Sequence, residues 1–549
     1  LWPAREPLGI GQPPPEAHRQ RGTIVRVTGA EIGLRFARGY DRFLENELLC
    51  LEREDSDVTF QRGAAAVRTL IEDPRALRMC ALFFGEAIPQ FEQPRAITYR
   101  DRQLDAGQRR AVETAVRALD VALVHGPPGT GKTRTLVEVV RQALLLRRRI
   151  LVTAPSHVAV DNMARRLAGC GVKVLRLGAP DKMAPDLKEC SLQDKMAALP
   201  EMAEATAKFE SAKRIADGRG RRLANPRKHI SELRRDAHRL RDLARAKVLR
   251  RSRVVCCTAG GVDAVPLGDE SFDLVILDEA TQAPDPVALS ALQRGKVLVL
   301  AGDPQQLPPT VLSRHDDARA GLSSTLFERC AGRWPAEATT MLTTQYRMSE
   351  SLMAFPSAAH YGGRLEAGEG NRQHRLQDLL PDAALSERDG RPSLVIDTSA
   401  LGHTESFDEH TSSYFNDCHR KIVVLEVERL LRCGVDVMDI ALICPYSAQT
   451  RRLGIELSAG VARGLEIGTV DGFQGREKEV VIVDLVRSNP DGQLGFLRDL
   501  RRTNVALTRA RRQLILILSG DTLGGEPYYE QLLAAAKRDG GLEQAGPPI

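Results

Sequence analysis

No stretch of this chain approaches the roughly 18 uncharged apolar residues of a membrane-spanning helix. The longest strand-like runs, such as Leu514 to Leu518, suit buried strands instead. No charged start followed by an apolar stretch marks a secretion signal. The 10 cysteines are scattered and none forms a Cys-x-x-Cys pair. Cys256 and Cys257 adjoin in a β-like run, and Cys418 and His419 adjoin without partners at zinc spacing. Reduced thiols in an intracellular protein are therefore expected, not a metal cluster. Aromatic residues make up only 4% of the chain, so a base-reading surface is not expected. Internal repeats are absent. So is any Asn-Lys-x-Asp segment, which argues against a guanine-reading GTPase switch.

What is present points to a large multidomain α/β protein. At 549 residues the chain is too long for one core, and about three or four domains are expected. Hydrophobic residues at 42% and charged residues at 27% are those of a globular chain. The net charge of +6 is unevenly spread. Residues 208–253 hold 17 Lys/Arg against 5 Asp/Glu, a local net of +12, so the rest nets −6.

Residues 1–20 are Pro-rich and read as irregular, Gly22 to Phe36 as two short strands around a turn at Gly29, and Asp57 to Leu82 as helical. From Val121 short apolar strands alternate with helices: Val121–Val124, Ile150–Val152, Val254–Cys257, Leu274–Leu277 and Val297–Leu300. A second set comprises Leu394–Ile396, Ile440–Ile443, Val480–Val483 and Leu514–Leu518. Continuous apolar strands between helices indicate parallel sheets covered on both faces, here two α/β domains. Between the first strands, Ile230, Leu233, Ala237, Leu240 and Ala244 fall at alternating spacings of three and four. That narrow seam predicts an antiparallel helix pair projecting from the first domain.

The strongest motif is Gly126-Pro127-Pro128-Gly129-Thr130-Gly131-Lys132-Thr133, after an apolar strand and before a helical run. Glycines let backbone N–H groups turn inward around phosphates, and the following helix adds its positive end. Lys132 is placed to reach the β- and γ-phosphates and Thr133 to hold Mg²⁺. Leu274-Val-Ile-Leu-Asp278-Glu279 then delivers two carboxylates at a strand end, where α/β sheets place ligands. Asp278 can complete the metal shell, and Glu279 can polarise an attacking water. The strand Val297–Leu300 ends in Gly302-Asp-Pro-Gln-Gln306-Leu-Pro308-Pro309, where the Gln306 amide can sense the γ-phosphate.

Six signatures agree in order and spacing: GPPGTGKT, DEATQ, GDPQQLPP, Gln345-Tyr-Arg-Met348, Val470-Asp-Gly-Phe-Gln-Gly475 and Asn504-Val-Ala-Leu-Thr-Arg-Ala510. Together they resemble superfamily 1 helicases of the up-frameshift type, most of all the immunoglobulin-mu-binding protein 2 / DNA helicase A branch. The likeness runs from about residue 22 to about 520. It implies two tandem RecA-like parallel-sheet domains with a small partial β-barrel and a helical insertion. The implied boundaries are 1–60 for the barrel and 61–100 for a helical stalk. RecA-like domains follow at 101–335, with the insertion at about 185–252, and at 336–549.

By position, the resemblance implies that Gln108 reads the adenine edge and Tyr346 stacks on the base. Arg347 and Arg509 become arginine fingers in cis, and Glu477 lies near the ribose. It also implies nucleic-acid contacts from Ser156, His157, Thr258, Pro308, Pro445, Tyr446, Gln449 and Thr469. Hydroxyls and amides at such positions suit phosphate and sugar contacts. His157 stands where the family usually has Asn. Tyr446 could stack a base or be a buried aromatic near a turn.

The expected activity is an ATP- and Mg²⁺-dependent helicase on single-stranded DNA or RNA, with a 5′-to-3′ polarity implied by the resemblance alone. An RNA-decay helicase or ribonucleoprotein remodeller is the alternative, and a nucleotide-gated clamp with little turnover a third. A monomer in the nucleus or cytoplasm, without membrane association, is expected. Because the chain begins at Leu1 and shows only later barrel strands, an incomplete, under-packed barrel lobe is expected too. The C-terminal nucleic-acid-binding module and zinc finger often carried by the family are not recognisable in the sequence.

Overall fold

The structure, a computed structural model, describes residues 2–3, 23–27, 31–35, 49–50, 58–72, 76–218, 225–262, 267–268, 270–311 and 315–546. The chain divides into two compact units, Leu1–Gln61 and Arg62–Ile549. In the first, Thr23–Val27 and Ile32–Arg35 pair antiparallel, as the alternation around Gly29 predicts. Trp2–Pro3 pairs antiparallel with Leu49–Cys50. The irregular reading of residues 1–20 and the expected incomplete barrel fall largely outside the described residues.

The second unit holds both α/β layers. Its first sheet is wholly parallel and has seven strands. They are β1 (Val121–His125), β2 (Ile150–Ala154), β3 (Val174–Arg176), β4 (Val254–Thr258), β5 (Phe272–Leu277), β6 (Gly295–Gly302) and β7 (Thr339–Met341). The order across the sheet is β7-β1-β6-β5-β2-β4-β3. Side chains alternate between two buried faces: Val121 and Leu123 pack into one core layer, Ala122 and Val124 into the other. This two-sided burial is why the strands read as unbroken apolar runs. Strand β7 lies beyond the boundary expected between 335 and 336, since Thr339–Met341 pairs with β1 and closes the sheet's edge.

The second sheet is parallel and six-stranded: β8 (Ser393–Asp397), β9 (Ile440–Cys444), β10 (Glu466–Thr469), β11 (Lys478–Asp484), β12 (Ala510–Leu518) and β13 (Leu542–Gln544). Its order is β10-β9-β11-β12-β8-β13, again with a core layer on each face.

Three helices place the site. Helix α1 (Ala106–Arg117) starts at a capping box made by Asp105 and Gln108. Helix α2 (Lys132–Leu145) follows the phosphate loop, and α3 (His157–Gly169) follows β2 with Ser156 as its cap. The insertion folds as α4 (Pro200–Ala216) and α5 (Pro226–Arg251). Lys208 meets Asp236 while Lys247 meets Glu201, so the pair runs antiparallel. Ala237 and Ala244 are fully buried at the seam, with Ile230, Leu233 and Leu240 half-buried. Among the described residues, no helix is long and apolar enough to cross a membrane, and no cluster of His, Cys, Asp or Glu could hold a metal ion alone.

Candidate nucleotide site and nucleic-acid face

The loops after β1, β5 and β6 leave the first sheet on the same edge, because all three strands are parallel neighbours. In the phosphate loop Gly129 (φ 73°) and Gly131 (φ 77°) occupy the left-handed region, which a Cβ disfavours. A Cβ on Gly129 would also stand 2.7 Å from Cβ of Arg347, and one on Gly131 only 2.5 Å from Nε2 of Gln108. The glycines thus serve close approach as well as the turn.

Lys132 Nζ lies 3.2 Å from Asp278 Oδ1 and 2.7 Å from Glu279 Oε1. Burial works against its charge, but the two carboxylates outweigh that and hold its pKa above the ordinary lysine value. Glu279 itself sits at φ 53°, an uncommon conformation for a non-glycine residue.

A cavity of about 770 Å³ joins these groups to residues of the second sheet's domain. Its lining includes residues 126–134, Asp278, Glu279, Gln306, Tyr346, Arg347, Gln474, Arg476, Glu477 and Arg509. Tyr346 is 42% exposed, its hydroxyl donates to Asp105 Oδ2 at 2.7 Å, and its backbone N–H donates to Gly129 O at 2.8 Å. Arg347 bridges to Glu477 (2.6 Å) and donates to Thr508 O (2.9 Å). The Glu477 carboxyl is disfavoured by burial, yet Arg347 keeps it below the usual carboxylate range.

Arg509 is 1% exposed yet lines the cavity. Its guanidinium donates to Val505 O, Arg476 O and Thr508 Oγ1, and to no carboxylate among the described residues. Burial, reinforced by the like charge of Arg347, pushes its pKa down to about 9. A buried cation whose hydrogen bonds go to neutral acceptors is poised for an incoming anion.

Gln108, expected at the adenine edge, is not brought to the cavity. It is 1% exposed, Oε1 accepts from Asp105 N at 3.2 Å, and Nε2 donates to Thr130 O at 3.0 Å. Its amide is used by the helix cap and by the phosphate loop. Gln306 does line the cavity, with its Nε2 held by Asp303 Oδ2 at 2.6 Å.

The expected nucleic-acid residues divide into two groups. Ser156 is exposed, and His157, Thr258, Pro308, Pro445 and Thr469 are half-buried, mostly at the C-terminal ends of β2, β4, β9 and β10. Tyr446 and Gln449 are buried, which corrects the expectation for both. The Tyr446 hydroxyl meets Leu494 O, Phe496 N and Arg487, and its ring packs against Tyr414. Gln449 spends its amide on both backbone groups of Asn416 and on Asp484. Either side chain would have to leave the core to reach a strand, at the cost of unmade hydrogen bonds.

His157 has a defined tautomer. Arg176, fully buried and paired with Asp161 at 2.7 Å, places Nη2 3.2 Å from His157 Nδ1. A guanidinium only donates, so Nδ1 accepts and the proton resides on Nε2. Burial first, then Arg176 and Lys182, hold the ring's pKa below its ordinary value. His157 therefore offers one neutral N–H donor, as an Asn amide would. His157→Asn should preserve strand affinity in a fluorescence-anisotropy titration, while His157→Phe should weaken it roughly fivefold. Affinity should not rise as pH falls through neutrality.

Sequence reasoning missed His125, Asp303 and Tyr361, which border this site, and Arg476, which lines it. Asp303 sits inside a recognised motif, Arg476 directly follows one and His125 directly precedes one, which was the available signal.

A phosphate loop, paired carboxylates and arginines from a second sheet around one cavity define a P-loop nucleoside triphosphatase with tandem α/β domains. Family models described as AAA domain match residues 103–314 and 322–521. DNA-binding protein SMUBP-2 of Mesocricetus auratus is 36% identical over 535 residues, covering 93% of this chain and 53% of that protein. An uncharacterised ATP-dependent helicase of Methanocaldococcus jannaschii is 31% identical over 94% of this chain and 82% of its own length. DNA polymerase alpha-associated DNA helicase A of Saccharomyces cerevisiae is 32% identical, over 90% and 78% respectively. The chain belongs to the superfamily 1 helicases of the up-frameshift type. It spans about half the length of the SMUBP-2 relatives it matches.

Proposed function

We propose that this chain hydrolyses ATP at the cavity between its two α/β domains and uses the cycle to move 5′-to-3′ along single-stranded nucleic acid. The observation that carries the reading is that one cavity is lined by Lys132, Asp278 and Glu279 from one domain and by Arg347 and Arg509 from the other. Lys132 exchanges its carboxylate partners for phosphate oxygens. Glu279, freed by that exchange, accepts a proton from the attacking water. Arg347 and Arg509 meet the charge that spreads over the transferred phosphoryl group. Tyr346, at the rim, offers its ring to the adenine, while Gln108 shapes the loop. Thr133 and Asp278 both line the cavity, a hydroxyl and a carboxylate suited to Mg²⁺, and would hold it. The ion would screen the phosphate oxygens when bound.

The test is ATP turnover with and without DNA and RNA oligonucleotides, side by side, and strand displacement on forks of both polarities. Stimulated ATPase with 5′-to-3′ displacement is expected. Relatives named as DNA-binding proteins and DNA helicases make DNA the expected stimulating strand. Preferential stimulation by RNA would favour an RNA-remodelling role, and turnover indifferent to both would overturn the reading.

The insertion contributes a non-specific electrostatic contact. Arg234, Arg235, Arg239 and Arg241 are all exposed along α5. Each phosphate neutralised on a single strand contributes about −0.7 to the slope of log affinity against log salt. Replacing these four arginines by alanine should make the slope shallower by up to about 3. An unchanged slope would mean that this face is merely solvated.

A further inference from the structure

We infer that Asp303, Tyr361 and Asn504 form a hydrogen-bonded relay coupling the Gln306 side chain in the first domain to the helix that leads into Arg509 in the second. The inference rests on the ATPase reading above and adds positioning residues to it.

Asp303 is fully buried at the end of β6. Its Oδ2 accepts from Gln306 Nε2 (2.6 Å) and from the Tyr361 hydroxyl (2.8 Å). Its Oδ1 accepts from Gln305 N (3.1 Å) and faces His125 Nε2 (3.0 Å), the residue directly before the phosphate loop. Tyr361 ends helix α6 (Glu350–Tyr361) and is 1% exposed. Asn504 Nδ2, on helix α7 (Leu500–Leu507), donates to the Tyr361 hydroxyl (2.9 Å) and to Gln305 O (2.7 Å).

The chemistry fixes the direction of these bonds. A carboxylate only accepts and an amide nitrogen only donates, so the Tyr361 hydroxyl donates to Asp303 and accepts from Asn504. Burial works against the Asp303 charge, but His125, Gln306 and Tyr361 together keep the carboxyl below its usual range. The Asn504 end is rigidly joined to Arg509. Thr508 Oγ1 donates to Asn504 O (2.7 Å), and Arg509 donates to Thr508 Oγ1 (3.0 Å) and to Val505 O (2.7 Å).

Gln306 and Arg509 line the same cavity, so a nucleotide contact at one end of the relay meets a phosphate contact at the other. Asn504 Oδ1 is buried and has no partner among the described residues. An unfilled buried acceptor costs free energy, and a second arrangement of α7 that fills it would give the relay two positions. In a low-dielectric interior such bonds strengthen one another, so motion of Gln306 reaches α7 without passing through the nucleotide.

Tyr361→Phe removes one hydroxyl and keeps the ring packing. With wild type showing strand-stimulated ATPase, this variant should keep nucleotide affinity within about twofold and lose roughly 5- to 30-fold of stimulated kcat. Asn504→Ala should do the same and add little on top of Tyr361→Phe. In the cycle with Gln306→Ala, the Tyr361 substitution should cost almost nothing once Gln306 is gone. Additive losses in that cycle, or a kcat equal to wild type in both single variants, would overturn the relay and leave the ATPase reading standing. If Tyr361→Phe fails to fold, the Asn504→Ala and Gln306→Ala cycle carries the same test. Absence of strand-stimulated turnover in wild type would overturn the ATPase reading, and the relay with it.

Discussion

Glu279→Gln should lower ATP turnover by roughly 10²–10⁴-fold while nucleotide stays bound. Lys132→Ala should abolish turnover by weakening nucleotide binding. The two differ because of the ion triad at the strand ends. Lys132 is shared between Asp278 and Glu279, so incoming phosphate competes with both carboxylates for one ammonium. Glutamine at 279 removes a charged competitor and the proton acceptor together, so binding is kept while the water is no longer activated. Alanine at 132 removes the phosphate contact and leaves the buried Asp278 and half-buried Glu279 carboxylates without their shared cation. Equilibrium binding of a fluorescent nucleotide, read beside steady-state hydrolysis, separates the cases. Equal loss of affinity in both variants would sink the assignment of Glu279 as base.

Arg509→Ala should leave nucleotide affinity nearly intact and cut hydrolysis by about 10³–10⁵-fold. The residue is buried in the second domain but lines the shared cavity, and its guanidinium hydrogen-bonds to no carboxylate among the described residues. A guanidinium in that setting gains most when charge develops on the phosphoryl group, which is a transition-state interaction. Lysine should not rescue it, since an ammonium lacks the planar fork. Single-turnover hydrolysis at saturating ATP measures the effect. A loss confined to KM would place Arg509 in ground-state binding instead.

Much of the site was legible because phosphate chemistry demands glycine, lysine and carboxylate types at strand ends. The strand runs were legible because sheets buried on both faces need apolar residues at every position. What could not be read was the choice each polar side chain makes among competing partners. Gln108 has the composition of an adenine reader and spends its amide on a helix cap and the loop carbonyl of Thr130. Tyr446 and Gln449 sit at strand-end positions suited to nucleic acid, yet the packing of Tyr414, Asn416 and Asp484 draws them inward. Asp303, Tyr361 and Asn504 meet only because helices α6 and α7 pack against the loop after β6, a distance in sequence no motif spans.

Helix α5 has 26 residues, hence a length of about 39 Å, and its last turn runs into β4 through Ser252 and Arg253. Arg149 clamps that root, its guanidinium donating to Leu249 O and Ser252 O. The helix pair is therefore a cantilever fixed at one end. A load at its tip arrives as torque on β4, whose far end carries Thr258. The length of the arm sets the gearing between tip travel and that end. Shortening α4 and α5 by matched turns should alter the proposed movement along the strand while leaving the chemistry of the cavity untouched.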